Sequence, residues 1–264
     1  MSTREAAPGR LACLGARVRS VVSAGRREGR PAPLVEIVLL LVVVLLFTRL
    51  HGAATGEAAV ATANARVLQS IERALRIDIA LGANRWLTEH PVFIQPVVLY
   101  YRLYYFVVLC VLVWIFIRRA GAYVRVRRTL VAMSFLVLPV FFALPMSPPR
   151  FALPGVVDII AEHDILGGHA ARGIESGQNV YSAMPSMHTA WSLWCAYAVW
   201  SAFRPTHPRA AWLAWLFPLG MAAVVLLSGN HYVLDIAGSI TLLTVAIALT
   251  AAYSHLSRTG LRRG

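Results

Sequence analysis

The 264-residue chain is 58% hydrophobic and only 14% charged, with a mean hydropathy of +0.63. These proportions exclude an ordinary soluble domain and suit a polytopic membrane protein. The formal charge is +13 and every basic residue is an arginine, but the arginines fall between apolar runs as membrane topology requires, which argues against a nucleic-acid partner.

Residues 1–33, rich in Arg, Ala and Gly, are expected to be disordered or draped on anionic lipid. A helix needs about 20 apolar residues to cross a hydrocarbon core. Six runs read as spans, at about 34–50, 92–117, 129–146, 184–203, 211–228 and 231–252. The first, LVEIVLLLVVVLLFTRL, begins too far into the chain to be a removable signal peptide and lacks a small-residue cleavage site. Between the first two spans, Leu68, Ile71, Leu75 and Ile79 recur at helical spacing with Glu72, Arg73 and Arg76 among them. Segment 57–90 is therefore expected to form an amphipathic helix that lies on the membrane surface or caps the bundle. The fold expected is all-α: six transmembrane helices in a bundle with one external amphipathic helix. The organisation expected is a basic tail over 1–33, the first span and external helix over 34–91, a membrane domain over 92–252, and a second basic tail over 253–264. Cys13, Cys110 and Cys195 match neither a zinc spacing nor a disulfide framework.

Arginine placement gives a sidedness. Segments 1–33, 118–128, 204–209 and 253–264 together hold 17 arginines, against 6 in 51–91 and 147–183. Both termini are expected in the cytoplasm. Loop 147–183 and the starts of the fourth and sixth spans would then face outward.

Polar residues inside or at the mouths of spans are functional candidates, because burying them in lipid is costly. In NHYVLD, His231 and Asp235 are four apart, so a helix puts them on one face and the carboxylate can accept from the imidazole. That pairing fixes the tautomer and raises the basicity of the other ring nitrogen, as a histidine nucleophile requires. A buried pair that merely satisfies itself is the alternative. In MPSMH, Pro185 suits a helix's first turn, and the unpartnered amides just after it, with the Ser186 hydroxyl, suit a phosphate. His188 would then supply or remove a proton, unless this is a plain helix start with an interfacial histidine. Arg150 follows two prolines and offers a fork of donors matched to phosphate oxygens. Arg102, deep in YYRLYY, must find an anion or a wet cavity, or else snorkel outward among the tyrosines. Asn230, beside His231, joins the phosphate-binding candidates. The stretch EHDILGGH, with Glu162, His163, Asp164 and His169, is the one rival metal cluster and reads instead as a polar headgroup-facing segment. Neither a metal nor a cofactor is expected.

Pro-Ser-x-His at one span start, followed by His-x-x-x-Asp at a later one, resembles the type 2 phosphatidic acid phosphatase superfamily over about residues 92–252. The resemblance implies a six-helix bundle with its site at the membrane face. The histidine matching His231 would attack phosphorus, oriented by the aspartate matching Asp235, and the one matching His188 would protonate the leaving oxygen. The departures matter. Met187 stands where the superfamily's phosphatases have glycine, Val224 and Val225 stand where they have Ser-Arg, and the chain has no lysine for their first motif. This reduced basic set is more similar to the branch with inositol phosphorylceramide synthase and sphingomyelin synthase, with Arg102 and Arg150 as replacement cations. The expected activity is transfer of a phospho-headgroup from a membrane lipid phosphate to an acceptor such as inositol, at the outer face of a bacterial plasma membrane. A lipid phosphate phosphatase is the second reading, and a non-catalytic transporter or scaffold the third.

Overall fold

The computed structural model describes residues 30–163 and 179–260. Most of the 1–33 tail, Asp164 and His169 of the EHDILGGH stretch, and residues 261–264 lie outside the described residues. The elements are α1 (Pro33–Ala53), α2 (Ala58–Ala74), α3 (Ala80–Glu89), α4 (Ile94–Arg118), α5 (Ala120–Leu136), α6 (Leu138–Ala143), α7 (Pro149–Ala152), α8 (Ile159–Glu162), α9 (Met187–Phe203), α10 (Pro208–Ala211), α11 (Leu216–Leu227) and α12 (Val233–Gly260). Single 3-10 turns at Pro91–Phe93 and Trp212–Trp215 lead into α4 and α11. Prolines at positions 33, 149 and 208 open helices, where their missing N–H removes a donor that had no partner anyway.

Among the described residues, five helical stretches are long and apolar enough to cross a membrane: Pro33–Ala53, Pro91–Arg118, Ala120–Ala143, Pro208–Leu227 and Val233–Ser257. The expected fourth span, 184–203, is the 17-residue α9 and falls short of that length. It is nonetheless the hub of the bundle, packing against α4, α5, α11 and α12. Apolar residues surround its axis, as in a helix buried on every side, and Thr189, Ala190, Leu193, Trp194, Cys195 and Ala198 are all enclosed. The Trp194 indole donates to the carbonyl of Val126 at 2.8 Å. The expected start of the third span at 129 is too late. The helix runs from Ala120 and carries Arg125, Arg127 and Arg128 on its first turns, because arginine is a good helix former and nothing in the stretch breaks the backbone. α1 is apolar all round, and its buried Glu36 meets the Tyr123 hydroxyl at 2.9 Å and the Arg127 guanidinium on α5.

Segment 57–90 forms two helices, and its inward face differs from the one expected. α2 ends in a left-handed residue, Arg76 at φ 58°, with Ile77 N–H donating back to the Glu72 carbonyl at 2.9 Å. The buried residues of α2 are Ala61, Ala65, Leu68, Gln69 and Glu72, whereas Ile71 and Leu75 are 46% and 58% exposed. Alanine lets the helix approach the 145–147 segment closely, where Ser147 N–H donates to the Ala61 carbonyl at 3.1 Å. α3 is tied down by the buried Asn84. Its amide donates to the carbonyls of Val157 and Leu227 at 3.0 Å each and its oxygen accepts from Val157 N–H at 2.8 Å.

Candidate active site

α11 and α12 are joined by the tight turn SGNHY, and glycine is required there. Gly229 has φ 73°, and a Cβ would meet Val156 Cγ1 at 2.6 Å and the Val157 carbonyl at 3.0 Å. The turn returns the chain so that the amides of Asn230 and His231 both donate to the Val225 carbonyl, at 3.1 and 3.2 Å.

His231 Nδ1 lies 3.1 Å from Asp235 Oδ2, and the same oxygen accepts from Tyr232 N–H at 2.9 Å. Asp235 is 0% exposed and His231 6%. The carboxylate pairing assigns the proton to Nδ1 and leaves the Nε2 lone pair with no partner among the described residues. Asp235 thus caps the first turn of α12 and orients the imidazole with one oxygen.

Ser186 is the N-cap of α9, its Oγ accepting from Thr189 N–H at 3.3 Å. Pro185 consequently precedes the helix and does not lie in its first turn, where the sequence reading put it. Ser186 is wholly buried, and its N–H donates to the Asp235 carbonyl at 3.3 Å. The Ser239 hydroxyl lies 2.8 Å from the carbonyls of both Ser186 and Asp235, so the starts of α9 and α12 are stitched together. Gly238 permits that approach, since a Cβ would come within 3.2 Å of Pro185 Cβ.

His188, two residues into α9, has its ring centroid 6.1 Å from that of His231. Tyr101 stacks on it at 4.1 Å and Tyr104 lies at 4.4 Å. The two tyrosines are three apart on α4 and so share a face. The His188 ring makes no hydrogen bond among the described residues.

Arg150, on α7, donates its backbone N–H to the Gly229 carbonyl at 3.0 Å and its guanidinium to Asn230 Oδ1. Its Nε also lies 3.0 Å from Asp158 Oδ2, an ion pair too poorly aligned to count as a hydrogen bond. Asn230 directs its amide to Ser228, at 2.8 Å from Oγ, so its polar atoms serve the turn and Arg150. Arg102 sits beside Tyr101 on α4, half-buried, with Nε and Nη2 enclosed. Val224 and Val225 are buried in an apolar cluster with Leu87, Val98, Tyr104 and Met221.

The structure therefore brings together His231, Asp235, His188, Ser186, Asn230 and Arg150. Sequence reasoning missed Tyr101 and Tyr104 as ring partners of His188, Ser239 as the stitch and Asp158 as the partner of Arg150. The small pair Gly238–Ser239, one helical turn beyond Asp235, was a usable signal. Nothing marked Asp158. Among the described residues no group of three or more His, Cys, Asp or Glu side chains is arranged to hold a metal ion.

A multi-pass helical membrane protein that sets a carboxylate-oriented imidazole beside a second histidine and an arginine is built for chemistry on phosphate esters. The family model of the PAP2 superfamily matches residues 66–249, and the chain belongs to that superfamily. It is accordingly an enzyme of the phosphatase and phosphotransferase type that acts on lipid phosphates. Comparison with curated proteins and with solved structures returned no match.

Proposed function

We propose that this enzyme transfers a phospho-group from a lipid-linked phosphate to an alcohol, through a phosphohistidine at His231, as an inositolphosphotransferase does. The observation that carries the reading is the Nε2 of His231, without a partner among the described residues while Asp235 grips the opposite nitrogen at 3.1 Å. Nε2 attacks phosphorus, the bond to the leaving oxygen breaks, and His188 delivers the proton that oxygen needs. Asp235 offsets the positive charge that develops on the imidazole. In the second half, His188 takes the acceptor's proton as its oxygen attacks phosphorus, the N–P bond breaks, and His231 is restored. Arg150, held by Asn230 next to His231, clamps non-bridging oxygens. A phosphate must draw Arg150 away from Asp158. Ser186 sets the first amides of α9, and Arg102 adds positive charge from α4.

Transfer rather than hydrolysis is supported by the apolar surroundings. Valines fill the positions where the superfamily's phosphatases carry Ser-Arg, and two tyrosine rings wall His188. Such walls leave few polar groups beside the reacting pair to position an attacking water. α9 is the sixth crossing in this reading. The arginine distribution supports cytoplasmic termini and a site facing outward from a bacterial plasma membrane.

The test uses purified protein in detergent with labelled lipid phosphates, with and without inositol and other alcohols. A new labelled product that requires the alcohol is expected. Free phosphate alone would replace transfer by hydrolysis, and no turnover on any lipid phosphate would favour a transporter or scaffold. Full turnover by His231→Ala would remove the site assignment.

A further inference from the structure

Glu72 belongs to the external helix α2, yet it is 0% exposed. Its Oε1 accepts from Leu234 N–H at 2.7 Å across 162 positions of sequence. Its Oε2 is enclosed and has no hydrogen-bond partner among the described residues. The contact meets a local deficit. Tyr232, just before α12, has no side-chain acceptor suited to an N-cap. Asp235 reaches back to the Tyr232 amide, which is half of a capping box. The amide of Leu234, one of the orphan donors of the first turn, falls to Glu72.

We infer that Glu72 is a positioning residue for His231: by capping α12 from α2 it fixes the helix start that carries His231 and Asp235, and ties their reactivity to the seating of α2. This rests on the nucleophilic role proposed for His231. The charged groups facing Glu72 are Asp235 on α12 and Asp78 on the α2–α3 connection. Tyr232 is buried beside it from the α12 side. On α2 itself, Arg73 turns to Asp78 at 3.1 Å. α7 also packs on α2 and brings Arg150, whose guanidinium turns to Asn230 and Asp158. Among the described residues no cation pairs with Glu72.

Burial pushes the Glu72 carboxyl up to about 7, with repulsion from Asp235 and Asp78 adding to it and the amides of Leu234 and Val233 opposing it. The folded protein therefore keeps a proton that the unfolded chain releases, and stability falls as pH rises from the ordinary value of 4.5 to about 7. Ionisation has the opposite effect on chemistry. A second negative charge behind the pair favours the positive charge that forms on the imidazole during attack. Turnover should rise as Glu72 loses its proton.

The test compares full-length Glu72→Gln, Glu72→Ala and His231→Ala by kcat and KM on a labelled lipid phosphate across pH ~6 to ~8, with hydrogen exchange at the Leu234 amide. Glu72→Gln keeps the carbonyl acceptor, so Leu234 should stay protected while the rise in kcat near pH 7 disappears. Glu72→Ala should unprotect Leu234 and lower kcat about ten- to a hundredfold with KM nearly unchanged, the signature of a displaced reacting group. Should Glu72→Ala fail to fold, the pH profile of Glu72→Gln decides. Wild-type profiles in the glutamate variants beside an inactive His231→Ala would overturn the inference, as would full protection of Leu234 in Glu72→Ala. Full turnover by His231→Ala would instead bring down the proposed function, and the positioning role with it.

Discussion

His231 is held by directional polar bonds, with a carboxylate on Nδ1 and its own amide on the Val225 carbonyl. His188, 6.1 Å away, is held by the faces of Tyr101 and Tyr104 and by no ring hydrogen bond among the described residues. The difference matches two tasks. A nucleophile needs one tautomer and one direction of its lone pair, which hydrogen bonds specify. A proton carrier must change protonation state within each cycle, and stacking holds a ring without committing either nitrogen.

Removing the directional bond should have the largest effect. Asp235→Asn keeps the shape but not the tautomer, and turnover should fall roughly ten-thousandfold, as when the equivalent carboxylate of a hydrolase triad is amidated. Misfolding would not explain such a fall if Leu234 stays protected from exchange. His188→Ala should slow an alkyl phosphate ester by roughly a thousandfold and an aryl phosphate far less, because a phenolate departs without a proton. Equal losses on both substrates would deny His188 the role of acid. The smallest effect belongs to the stacked ring. Tyr101→Phe should leave kcat almost untouched while Tyr101→Ala lowers it by about tenfold or less, in keeping with ~0.5–1.5 kcal/mol for an aromatic pair. A large loss in Tyr101→Phe would mean that the hydroxyl, not the ring face, matters.

The site was legible where helix geometry alone fixes distance. His231 and Asp235 are one turn apart on the same chain, so their contact follows from spacing. The adjacency of His188 could be anticipated only through the paired motifs, because packing of α9 on α12 brings it there. Glu72 was not legible, because close helix packing overrides the apolar stripe. In water the apolar stripe of a helix turns inward, and Leu68, Ile71, Leu75 and Ile79 read as that stripe, of which only Leu68 is buried. The structure leaves Ile71, Leu75 and Ile79 exposed instead, and closeness of approach decides which face turns in. The alanines of α2 win that contest and carry Glu72 inward with them. The late start assigned to the third span has a related cause. Arginines were read as loop because they are polar, although a helix extending past the hydrocarbon can carry them at the headgroup level.

α9 has a further consequence, for depth. Its 17 residues rise only about 26 Å, against a hydrocarbon layer of about 30 Å. His188 occupies the end of that short axle that is stitched to the start of α12. With its axis along the bilayer normal, a helix of that length would leave about 4 Å of the hydrocarbon uncovered and would set the reacting centre below the headgroup plane. A lipid phosphate would then sink, or the bilayer thin locally, for the phosphate to meet His231. Water-borne phosphate esters gain nothing from such a descent, whereas a lipid already spans the distance with its own chain.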